Sequence, residues 1–317
     1  MSRVVVTDHA FSGVEQEQAM AAVNGAEFSC HECGTETETL EAVQGADVAL
    51  VNFAPITEKV LSAMSPGATV VRYGIGYDNV DVEAARRLGV SVANVPDYGS
   101  DTVADHAAAM LLALLRRLPH YDRSIRTEGW CPPGSVGSVP SFSSTTVGLV
   151  GVGRIAQSLA NRLRGFGFDL IGYDPMLPAE VAQAAGVRLV SLEEVAEHSH
   201  AVSLHVPATP ETHHLVDTDF LARMRDGAVL VNTSRGTLVD EHALAAALTV
   251  GTLAGAALDV FDPEPLATDS PLRDCPTALF TPHAAFYSKE SLYNLQRLAA
   301  EEAARALRSE PLRCPVA

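Results

Sequence analysis

Residues 146–175 read TVGLVGVGRIAQSLANRLRGFGFDLIGYDP, and this stretch decides the fold. A β-type run, TVGLV, leads directly into Gly151-x-Gly153-x-x-Ala156, a helix-like segment follows, and a second β-type run, FDLIGYD, closes the unit. A lone glycine pattern says little; directly after a strand and opening a helix it marks a dinucleotide-binding βαβ unit. Gly151 permits the tight strand-to-helix turn, and Gly153 lets the backbone approach a pyrophosphate whose charge is stabilised at the helix N-terminus. Ala156 stands in place of the third glycine, a size the helix–strand contact tolerates. Asp174 ends the second strand about 20 residues further on, where an acid binds the ribose 2′-hydroxyl. A carboxylate there repels a 2′-phosphate, and with Pro175 next to it and no adjacent Arg the reading favours NAD over NADP.

The same rhythm extends outward in both directions. Upstream, VVVTD (4–8), EFSCHE (27–32), DVALVNF (47–53), TVVRYGI (69–75) and VSVANVP (91–97) alternate with helix-like stretches. Downstream, AVSLHVP, AVLVNTS, TLAGAALDV and TALFTP continue the pattern. Strands separated by helices predict right-handed βαβ units and parallel sheets. The α/β chain is therefore read as two Rossmann-like or flavodoxin-like parallel-sheet domains with a cleft between them. DTVADHAAAMLLALLRRL (101–118) reads as one long apolar helix, opened by Asp101 as a cap and bridging the domains. Residues 119–145 lose periodicity and gather Pro, Gly and Ser, so they read as an irregular arm, a candidate for contact with a partner subunit.

Composition bounds the function. At 317 residues the chain suits two medium domains, and 47% hydrophobic with 19% charged residues is that of a well-filled globular enzyme. A formal net charge of −17 argues against nucleic-acid or membrane-surface binding, and it means that an anionic substrate needs locally placed arginines. MSRVVVTDHA runs straight into a β-type segment and no stretch of about 20 apolar residues occurs, so the cytoplasm is expected. Five scattered cysteines are not a disulfide framework. Cys30-His-Glu-Cys33 has zinc-like spacing without a second pair nearby, so these are read as ordinary thiols and no metal is expected.

Three residues fall at or just past strand ends in the second domain: Arg235 after AVLVNTS, Glu264 after AALDV and His283 after ALFTP. Ligands of open α/β sheets bind at carboxyl strand ends. The Arg235 guanidinium suits a bidentate clamp on a substrate carboxylate and polarises a neighbouring keto oxygen. Hydride reduction of a ketone requires a proton for the developing alkoxide, and His283 is the side chain whose charge changes near neutral pH. Glu264 beside it would favour the imidazolium. Taken singly, Arg235 reads equally as a surface turn residue, Glu264 as a solvated turn acid and His283 as a loop histidine. Their joint position decides the reading.

GVGRIA, VNTSRGTLVDEHALAAAL, AALDVFDPEP, TPHAA and RYGIGYDNVD (72–81) resemble, in order, the signatures of the D-isomer-specific 2-hydroxyacid dehydrogenases. TPHAAFYS and the HHLV after ATPET are most similar to the C-terminal-binding-protein branch, from which Phe286 departs where that branch has Trp. The resemblance implies an NAD-dependent oxidoreductase that moves a hydride between nicotinamide and C2 of a small 2-keto or D-2-hydroxy acid. It implies a discontinuous substrate domain, 1–98 with 285–317, and an NAD domain, 99–284, working as a homodimer. Arg235, Glu264 and His283 match the family's catalytic triad. Val103, Gly151, Gly153, Arg154, Ile155, Asp174, Pro175, His205, Val206, Pro207, Thr212, Thr233, Ser234, Arg235, His283 and Ala285 would line NAD, with Asp259 accepting from its carboxamide. The amides of Ile75 and Gly76 would hold the substrate carboxylate within the loop from Arg72 through Tyr73 and Gly74. Asn52, Phe53, Tyr73, Tyr98 and Phe286 are candidates for the pocket lining. Arg72 has two readings, support of that loop by a salt bridge or contact with a second anionic group on the substrate. The other function class left open is an NAD(H)-sensing, corepressor-like interaction protein with little turnover.

Overall fold

The computed structural model describes residues 1–316, and the expected substrate domain ends at residue 317, outside them. The chain forms two compact units: Met1–Gly99 together with the segment from Tyr287 onward, and Ser100–Phe286.

In the first unit β1 (Arg3–Val6), β2 (Glu27–Cys30), β3 (Val48–Val51), β4 (Thr69–Arg72) and β5 (Ser91–Ala93) form one parallel sheet in the order β2-β1-β3-β4-β5. The central strands are unbroken apolar runs, VVV and VALV, because both faces are covered, by separate apolar clusters. Helix Glu36–Val43 starts at a capping box in which Thr35 and Glu38 satisfy each other's backbone amides. Helix Val82–Leu88 stops where Gly89 turns left-handed at φ 68°. Helix Lys289–Leu307 packs on β3 and β4 through Leu295, Leu298, Ala299 and Ala303.

The second unit holds seven parallel strands: β6 (Thr146–Val150), β7 (Asp169–Tyr173), β8 (Arg188–Leu189), β9 (Ala201–Leu204), β10 (Ala228–Asn232), β11 (Leu253–Leu258) and β12 (Ala278–Phe280). Their order is β12-β11-β10-β9-β6-β7-β8. Chain direction across the sheet reverses between β6 and β9, which creates a crevice at their carboxyl ends. Helices Ser100–Leu115 and Arg154–Arg164 cover one face through Ala104, Ala107, Leu111, Leu159 and Leu163, all fully buried. Trimming a leucine such as Leu111 to alanine would cost about 2–5 kcal/mol, from lost transfer energy and the cavity left behind.

Four details differ from the sequence reading. The long apolar helix ends at Leu115, and Arg117, left-handed at φ 55°, separates it from a second helix, Leu118–Glu128, inside the stretch read as irregular. That helix carries Leu118, Tyr121 and Ile125 at helical spacing but buries only Ser124, a short stripe among polar neighbours that the sequence reading missed. Asp101 lies inside the first turn and is no cap; its carboxylate accepts from Ser158 and Arg162. The two-residue β8 was too short to register as a strand. Among the described residues no helix is long and apolar enough to cross a membrane.

Candidate active site

The glycine turn is built where β6 meets β9. Gly151 is left-handed at φ 84°, and a Cβ there would sit 2.8 Å from the His205 carbonyl oxygen at the end of β9. Only glycine allows this approach. Gly153 caps helix Arg154–Arg164, and nothing lies within 4 Å of where its Cβ would stand. Asp174, just past β7, accepts the amides of Val152 at 2.9 Å, Met176 at 2.9 Å and Leu177 at 3.1 Å, tying the glycine turn to the following loop.

At the ends of β10 and β11 the backbone presents Arg235 and Glu264. Asn232 pins the Arg235 turn: its amide nitrogen donates to the Arg235 carbonyl at 2.8 Å and its oxygen accepts Ser234 N–H at 3.0 Å. Ser234 Oγ donates to Leu204 O at 2.9 Å, and Arg235 Nη1 donates to Ser234 O at 2.8 Å. A Cβ on Gly236 would collide with the backbone of Phe261, so the two turns are in direct backbone contact. Glu264 Oε1 accepts the Phe261 amide at 3.1 Å, and Oε2 lies 2.8 Å from His283 Nδ1. Burial pushes the Glu264 carboxyl up, but the hydrogen bond and charge of His283, the Phe261 amide and the Arg235 charge outweigh it and hold it below the usual value. Arg235, Glu264 and His283 thus form one electrostatically linked group.

His283 sits in a turn with φ 51°, a left-handed conformation that costs a non-glycine residue about 1–2 kcal/mol. Asp259 holds it there. The Asp259 carbonyl takes the His283 amide at 2.7 Å, and the fully buried carboxylate accepts the Thr281 hydroxyl and the amides of Ala284 at 2.7 Å and Ala285 at 2.8 Å. This carboxylate braces the turn that carries His283. Phe286 packs edge-on to the His283 ring, centroids 6.1 Å apart.

The remaining expected cofactor residues lie at the same strand ends or behind them. Thr212 Oγ1 donates to Pro207 O at 2.8 Å and accepts Thr209 N–H at 2.8 Å, closing the loop that begins at His205 and Val206. His205 Nε2 lies 2.9 Å from Ser203 Oγ, and burial lowers its pKa to about 4, so the ring is neutral at physiological pH. Val103 is buried on helix Ser100–Leu115.

In the first unit Asp8, which the sequence reading passed over, organises the loop after β3. Its carboxylate accepts Asn52 N–H at 2.9 Å and Phe53 N–H at 2.5 Å. Arg72 is 9% exposed, donates to the Tyr73 carbonyl, and stacks its guanidinium 5.7 Å from the Phe53 ring centre. Asn94 fixes the next loop through the Ile75 carbonyl at 2.7 Å, and Val95 N–H does so through the Gly74 carbonyl at 2.9 Å. Tyr73 departs from expectation: its ring is in the core at 1% exposure and its hydroxyl donates to buried Glu17 at 2.9 Å, so it does not line a pocket. Tyr98 packs partly buried against the same core.

Residues 108–285 match the family model described as D-isomer specific 2-hydroxyacid dehydrogenase, NAD binding domain. The chain belongs to this family. It is similar to a glyoxylate reductase of Korarchaeum cryptofilum, 40% identical over 83% of this chain and 80% of that one. It is 37% identical to a D-3-phosphoglycerate dehydrogenase of Methanocaldococcus jannaschii over 87% of this chain, which spans only 52% of that longer relative. Among solved structures, D-lactate dehydrogenase from Aquifex aeolicus complexed with NAD and lactic acid superimposes with a TM-score of 0.87, at 26% identity over 97% of this chain and 96% of that one.

The family's cofactor is NAD(H), and the residues present suit it. The open space over Gly153 admits a close-packed phosphate group, and the helix behind it offers its N-terminal amides. Two buried polar atoms at the ends of β9 and β10, His205 Nδ1 and Thr233 Oγ1, have no hydrogen-bond partner among the described residues, as a polar ligand would require.

Proposed function

We propose that the protein reduces a small 2-keto acid to the D-2-hydroxy acid, and catalyses the reverse oxidation, with His283 as the proton carrier. The observation that carries this reading is the His283–Glu264 pair at 2.8 Å, within the charge field of Arg235. The unit Ser100–Phe286 holds the cofactor, with Asp174 on the ribose hydroxyls, and the amides of Ile75 and Gly76 are the expected holders of the substrate carboxylate.

When bound, NADH supplies the hydride for the carbonyl carbon. The protein's part is the charge that remains. Arg235 holds the substrate carboxylate and polarises the carbonyl oxygen; at about 4 Å and an effective dielectric of 20 such a contact is worth about 4 kcal/mol before desolvation. Glu264 occupies Nδ1 of His283, which leaves Nε2 to deliver the proton to the developing alkoxide and to take it back in the oxidative direction. The similarity to a glyoxylate reductase, a D-lactate dehydrogenase and D-3-phosphoglycerate dehydrogenases supports a small 2-keto acid, with or without a phosphate. The exposed Leu118, Ile125 and Trp130, at 54%, 43% and 78%, support a homodimer built on the helix Leu118–Glu128 and the segment after it.

The test is NADH oxidation followed at 340 nm against a panel of 2-keto acids, with His283→Ala and Arg235→Ala alongside. Turnover on one class that falls about a hundredfold or more in His283→Ala is expected. No turnover on the panel while NADH still binds would overturn the reading in favour of a nucleotide sensor.

A further inference from the structure

We propose that His106, on the helix Ser100–Leu115, is a positioning residue for His283, acting through Thr281 and Asp259; the proposal rests on reading His283 as the acid and base. His106 Nε2 lies 3.0 Å from Thr281 Oγ1 and 3.8 Å from Asp259 Oδ1. Thr281 has one hydroxyl proton and donates it to Asp259 Oδ1. Its oxygen can therefore only accept from His106, which requires the proton of that ring on Nε2.

The relay runs from helix to catalytic turn. His106 N–H fixes the lone pairs of Thr281, the Thr281 O–H is thereby aimed at Asp259, and Asp259 clamps the amides of Ala284 and Ala285, the two residues that follow the left-handed His283. Strained backbone persists only where its surroundings over-determine it. Asp259 also carries a buried charge, and an oriented N–H dipole from His106 adds to the three donors that offset it. The mount is rigid: Ala104, Ala107 and Ala108 flank His106 in the buried face of a helix packed against Arg154–Arg164. One polar side chain in VADHAAAM thus couples a core helix to the reacting imidazole.

The experiment compares wild type, His106→Leu, His106→Gln, Thr281→Val and the double variant His106→Leu/Thr281→Val in the full chain. Amide hydrogen exchange across 282–286 is read first, because it needs no turnover. Exchange of Ala284 and Ala285 should rise tenfold or more in His106→Leu and in the near-isosteric Thr281→Val, with the amides of β6 and β9 unchanged. Gln, whose amide reaches the Nε2 position, should restore protection. With a turned-over keto acid, kcat should fall tenfold or more while KM for NADH changes less than threefold, and the double variant should be no worse than the poorer single one. Unchanged exchange in both single variants overturns the relay. So does a fall in kcat that His106→Gln does not rescue. Absence of turnover in wild type would count against the acid–base reading alone, with the exchange data still deciding whether His106 holds the turn.

Discussion

Glu264 Oε2 meets His283 Nδ1 at 2.8 Å, from a carboxyl held below its ordinary pKa by His283, the Phe261 amide and Arg235 against the opposing effect of burial. The carboxylate is therefore charged throughout the neutral range and fixes which imidazole nitrogen can exchange a proton with substrate.

A depressed folded-state pKa adds stability above the unfolded value and loses it as pH falls through the folded one. Glu264→Gln should therefore be less stable than wild type in urea at pH 7, with the gap closing below about pH 4.5, the ordinary glutamate value. Its kcat should fall about tenfold to a hundredfold, because the imidazole loses its orienting partner. Equal stability differences at pH 7 and pH 3.5 would contradict the pairing.

Gly236→Ala should separate catalysis from global stability. The added methyl meets the Phe261 backbone, so the segment leading to Glu264 must move. Overpacking of this kind costs about 1–3 kcal/mol. The expected result is a folded protein with a lowered Tm whose kcat has fallen by more than tenfold, measured by calorimetry and by NADH oxidation on one preparation.

His205 sets a pH dependence of its own. Its native pKa is about 4, against 6.5 for a free imidazole. Between these values the unfolded chain binds a proton that the native chain refuses, so stability falls as pH drops from 6.5 to 4 and levels off below. The loss is up to about 3 kcal/mol. His205→Gln should flatten this part of the curve in urea titrations at pH 7, 5.5 and 4.5; an unaltered slope would assign it to other groups.

The motif-bearing parts of the chain were legible because their chemistry is local. The strand, Gly151 turn and helix form a contiguous run, and both Asp174 and the three charged residues stand at strand ends. What escaped depends on contacts distant in sequence. Asp8 reaches Asn52 and Phe53 only because β1 and β3 are neighbours, and β-type runs do not reveal their pairing. Tyr73 sits beside the glycines of its loop, and the direction of its ring was set by Glu17 and Phe11, more than fifty residues away in the chain. Helix Leu118–Glu128 escaped for another reason: its stripe, Leu118, Tyr121 and Ile125, is short, set among polar residues and followed at once by the Pro, Gly and Ser of the arm.

The carboxylate of Asp259 leaves its position almost no freedom to drift. Asparagine, of nearly the same shape, would turn a donor nitrogen toward one of the amides of Ala284 and Ala285 or toward the Thr281 hydroxyl, and glutamate would overfill a fully enclosed space. Each of the usual conservative exchanges thus leaves a buried group facing its own kind. The requirement comes from the folded backbone itself, so a descendant that abandoned the chemistry and kept this turn would still have to encode aspartate there.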